Sequence, residues 1–97
     1  GECMSVAIIC IDKPNSLEKR LKIRPEHLKW LKENLPEGTF VGPLLDDDGT
    51  TFKGSLYILD FDNCDEAKNW ISKEPYNKNE LFDQVIIRLT KNIFPLK

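Results

Sequence analysis

Hydrophobic and polar positions divide the chain into segments of two different periods. Met4 to Ile11 is a short apolar run rich in β-branched residues, stopped by Asp12-Lys13-Pro14-Asn15. It reads as a strand buried on both faces over part of its length, and therefore central in a sheet. Ser16 followed by Leu17 to Leu21 makes a short helical turn with Ser16 as N-cap. A firmer helix is expected from Pro25 to about Leu35. Pro25 suits its first turn, Glu26 suits the positive end of its dipole, and Leu28, Leu31 and Leu35 recur at i, i+3 and i+7 as a buried stripe. Pro36 and Gly38 end it. Thr39 to about Leu45 is a second strand interrupted at Gly42-Pro43; proline donates nothing to a ladder, so this strand should bend or lie at an edge. Asp46-Asp47-Asp48-Gly49 reads as a solvated turn.

Alternation resumes from Thr51 to Phe61, a third strand with Gly54, Leu56 and Ile58 on one face and Tyr57, Leu59 and Phe61 on the other. A second helix follows from about Cys64 to Lys73, with Asn63 as N-cap, Glu66 three residues on, and Ala67, Trp70 and Ile71 as its buried stripe. Pro75 ends it, Tyr76 to Asn79 is a loop, and Asp83 to Ile93 is the last strand, Val85, Ile87 and Leu89 alternating against Ile86 and Arg88. The order βαββαβ is the split βαβ arrangement of ferredoxin-like folds. It gives an α+β class with two helices on one face of a four-stranded antiparallel sheet. The other face keeps apolar side chains, drawn from Tyr57, Leu59, Phe61 and Ile86, and needs a second layer. In so short a chain a second copy supplies it, so a homodimer through the sheet face, of the dimeric α+β barrel type, is expected.

Ninety-seven residues make one domain, residues 1–97, with a two-layer core and no room for a separate cofactor domain. With 40% hydrophobic and 31% charged residues the composition is that of a globule, not a disordered chain. The net charge of -2 and the interleaving of Lys19, Arg20, Lys22 and Arg24 with Leu21 and Ile23 read as a solvated amphipathic segment. No nucleic-acid partner is expected, because the aromatic signature of RNA-binding sheets is also missing. Cys3, Cys10 and Cys64 form no C-x-x-C pair and no Cys/His cluster. They read as reduced thiols in a cytosol-like compartment, with no metal site and no cofactor. No segment approaches the roughly 18 consecutive apolar residues of a membrane helix and no leader-like run opens the chain, so the expected location is cytoplasmic, away from membranes.

His27 is the sole histidine and has no competitor for a general-base role at neutral pH. In Arg24-Pro25-Glu26-His27-Leu28 it falls one turn inside the expected helix start, where the dipole favours its neutral form. No G-x-S-x-G elbow, Gly-rich phosphate loop or H-E-x-x-H is present. A histidine base needs an acceptor to fix its tautomer, and Glu26, Glu74, Asp60, Asp62 and the Asp46 to Asp48 run are candidates. Glu26 points about 100° away around the helix, whereas Glu74 precedes Pro75, a rigid place from which to present a side chain. On pattern alone His27 also reads as a boundary residue, Arg24 as a local partner, Tyr76 as a packing residue and Gly42-Pro43 as a bulge.

Several pieces together resemble the YciI-like (YCII-related) proteins: Asp12-Lys13-Pro14, Ser16 to Leu21, and Arg24-Pro25-Glu26-His27-Leu28. Downstream, Gly42-Pro43, Gly54-Ser55, Ala67 and Pro75-Tyr76 fall where that family places them, so the likeness runs from about Val6 to Phe94. The resemblance implies a ferredoxin-like, commonly dimeric fold related to muconolactone isomerase-type proteins, with a cleft holding a catalytic histidine and aspartate. One branch of the family eliminates chloride from a chlorinated hydroxyquinol. Carried onto this chain, the histidine is His27 and the arginine before it is Arg24. The family's Asp-Pro-Tyr or Asp-Pro-Phe segment appears as Glu74-Pro75-Tyr76, one methylene longer at the acid. The implied assignment is His27 and Glu74 as a catalytic pair, with Arg24, Tyr76, Gly42 and Pro43 contacting a small-molecule ligand. The expected activity is a lyase or isomerase reaction on an anionic or phenolic compound, without metal; the alternative is a non-catalytic dimeric ligand-binding or protein-interaction module.

Overall fold

The structure, a computed structural model, describes residues 4–93. In chain order it comprises β1 (Met4–Asp12), α1 (Leu17–Asn34), β2 (Gly38–Leu45), β3 (Phe52–Leu59), α2 (Cys64–Ser72), α3 (Pro75–Lys78) and β4 (Phe82–Lys91). The four strands form one sheet in the order β2-β3-β1-β4, every neighbour antiparallel. This is the ferredoxin-like arrangement, with the apolar β1 at its centre as its composition requires.

Strand alternation sorts the side chains into two faces. Val6, Ile8 and Cys10 of β1 stand beside Leu59, Tyr57 and Ser55 of β3 on the helix-covered face, and all six are buried. The opposite face carries Ile9 beside Leu56 and Ile86, and Ile58 beside Phe40, all half-buried or exposed. Tyr57 and Leu59 therefore belong to the core rather than to the open face, and of the apolar residues expected there Ile86 takes that place, with Leu56 and Ile58 as its companions. Gly54 leaves β3 room against β1: a Cβ there would stand 2.1 Å from the Cys10 carbonyl oxygen. The β2–β3 turn is organised by Asp48, whose carboxylate accepts from the backbone N–H groups of Thr50 and Thr51, both at 2.8 Å, while Gly49 takes φ 73°. Those bonds, with the Thr51 hydroxyl bond foremost, hold the Asp48 carboxyl down at about 2.

The helical segments differ from the sequence expectation in one instructive respect. Leu17 to Asn34 is a single helix, with Pro25 in its interior rather than at its start. Its buried stripe is Arg20, Ile23, His27 and Leu31, at spacings of three, four and four residues, and runs unbroken past the proline. Pro25 and Leu21, whose carbonyl loses its donor, both lie on the exposed side, so the loss does not bury an unpaired oxygen. His27 is thus well inside the helix, and the N-terminal dipole argument does not apply to it. Leu28 and Leu35 are 44% and 46% exposed, not core. Ser16 makes no side-chain cap, its hydroxyl turning to the Pro14 carbonyl. At α2 the N-cap is as expected, Asn63 accepting from Glu66 N–H at 2.9 Å, but the reciprocal bond is displaced by one residue: Glu66 accepts from Asp62 N–H at 3.2 Å. The segment after Pro75 is one helical turn rather than a loop, because Pro75 at N1 presets the helical φ.

Candidate functional site

Arg20, His27 and Leu31 project from one face of α1, while Glu74 and Tyr76 bracket Pro75 at the start of α3. Between these helices and the sheet lies a cavity of about 210 Å³. His27, Arg24, Tyr76, Gly42 and Pro43 all line it, together with Tyr57 and Ser55 of β3. Glu74 stands behind His27, fully buried, with its Oε1 2.6 Å from His27 Nδ1. When Nδ1 carries the proton it donates to that carboxylate, which leaves Nε2 as the ring nitrogen available to the cavity. The imidazole is also stacked on Tyr76, centroids 4.0 Å apart and planes inclined by 20°. The ring is fixed in two directions at once.

The other acidic candidates make different contacts. Asp46 and Asp48 serve the β2–β3 turn, Asp60 accepts from the Ser5 hydroxyl, the Asp62 backbone caps α2 with Glu66, and Glu26 is exposed on α1. Cys10 is buried and Cys64 half-buried at the start of α2; both are free thiols, and Cys3 lies outside the described residues. Burial, with Glu74 nearby, pushes the Cys10 thiol well above its usual range.

A second polar group, centred on Arg20, lies outside the site residues that the sequence pattern picks out. Arg20, read there as solvated, is 3% exposed. Its Nε and Nη2 donate to the two oxygens of Asp12 at 2.7 and 3.1 Å, Nη2 also donates to Ser55 Oγ at 2.7 Å, and its guanidinium carbon lies 4.4 Å from the Tyr76 ring centroid. Burial opposes the charge, but the Asp12 hydrogen bond and charge outweigh it and hold Arg20 above its ordinary pKa. The signal was present in the stripe itself: Arg20 lies three and seven residues before Ile23 and His27. Arg24, one turn from His27, is exposed at the cavity's edge, its guanidinium carbon 6.0 Å from the Phe52 ring centroid. Tyr57 is the other omission. Its ring meets Trp70 edge-on at 5.5 Å and its hydroxyl is buried. Among the described residues, Tyr57 Oη and Glu74 Oε2 are the buried side-chain polar atoms with no hydrogen-bond partner. Burial and the adjacent Glu74 push the Tyr57 phenol well above its usual range; burial raises Tyr76 also, with Arg20 pulling the other way.

A ferredoxin-like sheet with a histidine–carboxylate contact at the wall of a helix-covered cavity defines the class of molecule. The chain belongs to the YCII-related domain family, which matches residues 4–91. It is 35% identical to an uncharacterised protein of Haemophilus influenzae and 34% identical to protein YciI of Escherichia coli O6:H1, each over 98 aligned positions covering 94% of this chain and all of the relative. It is similar in structure to the 5-chloro-2-hydroxyhydroquinone dehydrochlorinase TftG from Burkholderia phenoliruptrix AC1100, solved in complex with 2,5-dihydroxybenzoquinone. That likeness has a TM-score of 0.77 and 26% identity, and covers 87% of this chain and 90% of the other. No helix among the described residues is long and apolar enough to cross a membrane.

Proposed function

We propose that the cavity binds a small anionic or phenolic organic molecule and that His27 moves a proton on it, in a lyase or isomerase reaction. The observation that carries this reading is the 2.6 Å contact between His27 Nδ1 and Glu74 Oε1 at the cavity wall. Glu74 fixes the tautomer and stabilises the imidazolium that forms when Nε2 takes a proton. The extra methylene relative to the family's aspartate is accommodated, since the longer arm still reaches hydrogen-bond distance from the start of α3. Arg24 at the cavity edge holds the substrate's negative charge, Tyr76 forms the wall on which the imidazole stacks, and the Gly42-Pro43 backbone of the edge strand forms the opposite wall. Supporting the substrate class, the structurally similar dehydrochlorinase binds a single oxygenated ring. A reducing, cytoplasmic location agrees with Cys10 and Cys64 being unpaired. The open sheet face, with Phe40, Ile58, Leu56 and Ile86, is proposed to meet a second copy of the chain.

The test is turnover of a panel of lactones, catechols and halogenated hydroquinones by wild type, His27→Ala and Glu74→Gln. His27→Ala is expected to lose about 10²- to 10⁴-fold, the worth of a positioned acid–base group, and Glu74→Gln to lose less. No turnover by wild type, or turnover unchanged in His27→Ala, overturns the catalytic reading. Saturable binding of panel members without turnover would assign the cavity to ligand capture alone.

A further inference from the structure

The Tyr57 phenol lines the cavity, and its hydroxyl is buried without a hydrogen bond of ordinary geometry among the described residues. It belongs to β3, an inner strand of the sheet paired on both sides, with Ile8 opposite it on β1 and Val41 opposite it on β2. Its ring meets Trp70 edge-on, 5.5 Å between centroids. The residue lines the cavity, is 0% exposed, and its Oη finds neither donor nor acceptor. Buried polar groups in folded proteins are paired, and an exception calls for a reason. Ser55 Oγ, which receives the Arg20 Nη2 bond, is near enough to oppose the upward shift of the phenol but makes no hydrogen bond of ordinary length with Oη. While Glu74 Oε1 holds His27, Glu74 Oε2 is likewise without a partner.

We propose that the Tyr57 hydroxyl donates a hydrogen bond to an oxygen on the buried end of the ligand, selecting single-ring molecules that carry one oxygen there and an anionic group at the Arg24 end. The proposal rests on the reading of the cavity as a small-molecule site and adds orientation and specificity to it. Tyr57 is buried and Arg24 exposed, so the two mark the inner and outer ends of the space. The volume of about 210 Å³ suits one substituted ring, given that a cavity of about 150 Å³ holds benzene. Phe52, Tyr76 and His27 supply flat walls for it. Burial keeps the phenol protonated, so it is a donor and the ligand oxygen must be an acceptor.

The experiment compares 4-hydroxybenzoate with benzoate by titration calorimetry, since the two differ only by the oxygen opposite the carboxylate. Wild type is expected to favour 4-hydroxybenzoate by about tenfold, the worth of one well-made hydrogen bond. Tyr57→Phe should abolish that preference by weakening 4-hydroxybenzoate alone, and Arg24→Ala should weaken both ligands alike. Equal affinities in wild type, or equal weakening of both ligands in Tyr57→Phe, overturn the role of Tyr57 while leaving the cavity a ligand site. If neither benzoate, 4-hydroxybenzoate nor 2,5-dihydroxybenzoquinone binds wild type, the cavity reading fails and the Tyr57 proposal with it. Should Tyr57→Phe not fold, the wild-type ratio decides by itself.

Discussion

Glu74 acts electrostatically on buried neighbours that make no hydrogen bond to it. Glu74 is fully buried, and its field reaches both Cys10 and Tyr57, which burial alone already pushes upward. A folded-state pKa above the unfolded value means the native state holds its proton longer. The stability that Cys10 and Tyr57 contribute is therefore complete below their ordinary values, 9.0 and 10.0, and drains away as pH rises beyond them. Urea unfolding followed between about pH 8 and 11 should show a midpoint that falls through this window, and Tyr57→Phe should flatten the upper part of the fall; identical slopes would contradict the linkage. At neutral pH the same substitution removes a buried hydroxyl without a partner, a group that costs about 1–3 kcal/mol to bury. Arg20 and Asp12 are the converse case. Each is nearly enclosed, at 4% and 5% side-chain exposure, and each satisfies the other, so truncating one strands a buried charge at a cost of about 3–5 kcal/mol.

At the scale of elements, α1 is where sequence pattern and structure part company. Pro25 is a strong local stop signal, and the reading that begins a helix there is correct about the residue and wrong about the segment. What overrides it is the buried stripe, which continues through Arg20, Ile23, His27 and Leu31 and packs on the side away from the proline. Replacing Pro25 by alanine restores a donor for the Leu21 carbonyl on the exposed side. The variant is expected to gain roughly 1–2 kcal/mol, less than the full interior-proline penalty because the unfolded chain also regains freedom. Chemical denaturation measures it, and a loss of stability would show that the proline has a packing role. The strands were legible because alternation is a strict period of two, and the ferredoxin-like order followed from them. His27 and Glu74 were legible as residues but not as neighbours, since 47 positions separate them and only the packing of α3 on α1 brings them together. Arg20 and Tyr57 are not legible as site residues for opposite reasons: one is a charge that burial makes structural, the other a strand core residue whose hydroxyl is the exception.

The whole molecule is lopsided. Both long helices cover one face of the sheet, and the other presents Ile9, Leu56, Ile58, Ile86 and the 46%-exposed Phe40. A sheet apolar on both faces needs a second layer, and the proposed second copy supplies an identical face. Sedimentation equilibrium should find a dimer for wild type and a folded monomer for Ile58→Asp; a monomeric wild type at micromolar concentration would refute the arrangement. The way the cavity is assembled also governs which changes in chain length the fold can absorb. Arg20, Arg24, His27, Leu28 and Leu31 reach it from a single helix. One residue inserted or deleted between positions 20 and 27 would turn the flanking side chains by about 100° relative to one another and scatter the constellation while leaving a helix in place. The Asp46–Thr51 turn, exposed over Asp46 to Thr50, closed by its own side chains and contributing nothing to the cavity, is free to lengthen or shorten. Length variation among working relatives should accordingly collect at that hairpin tip and be absent from the first three turns of α1.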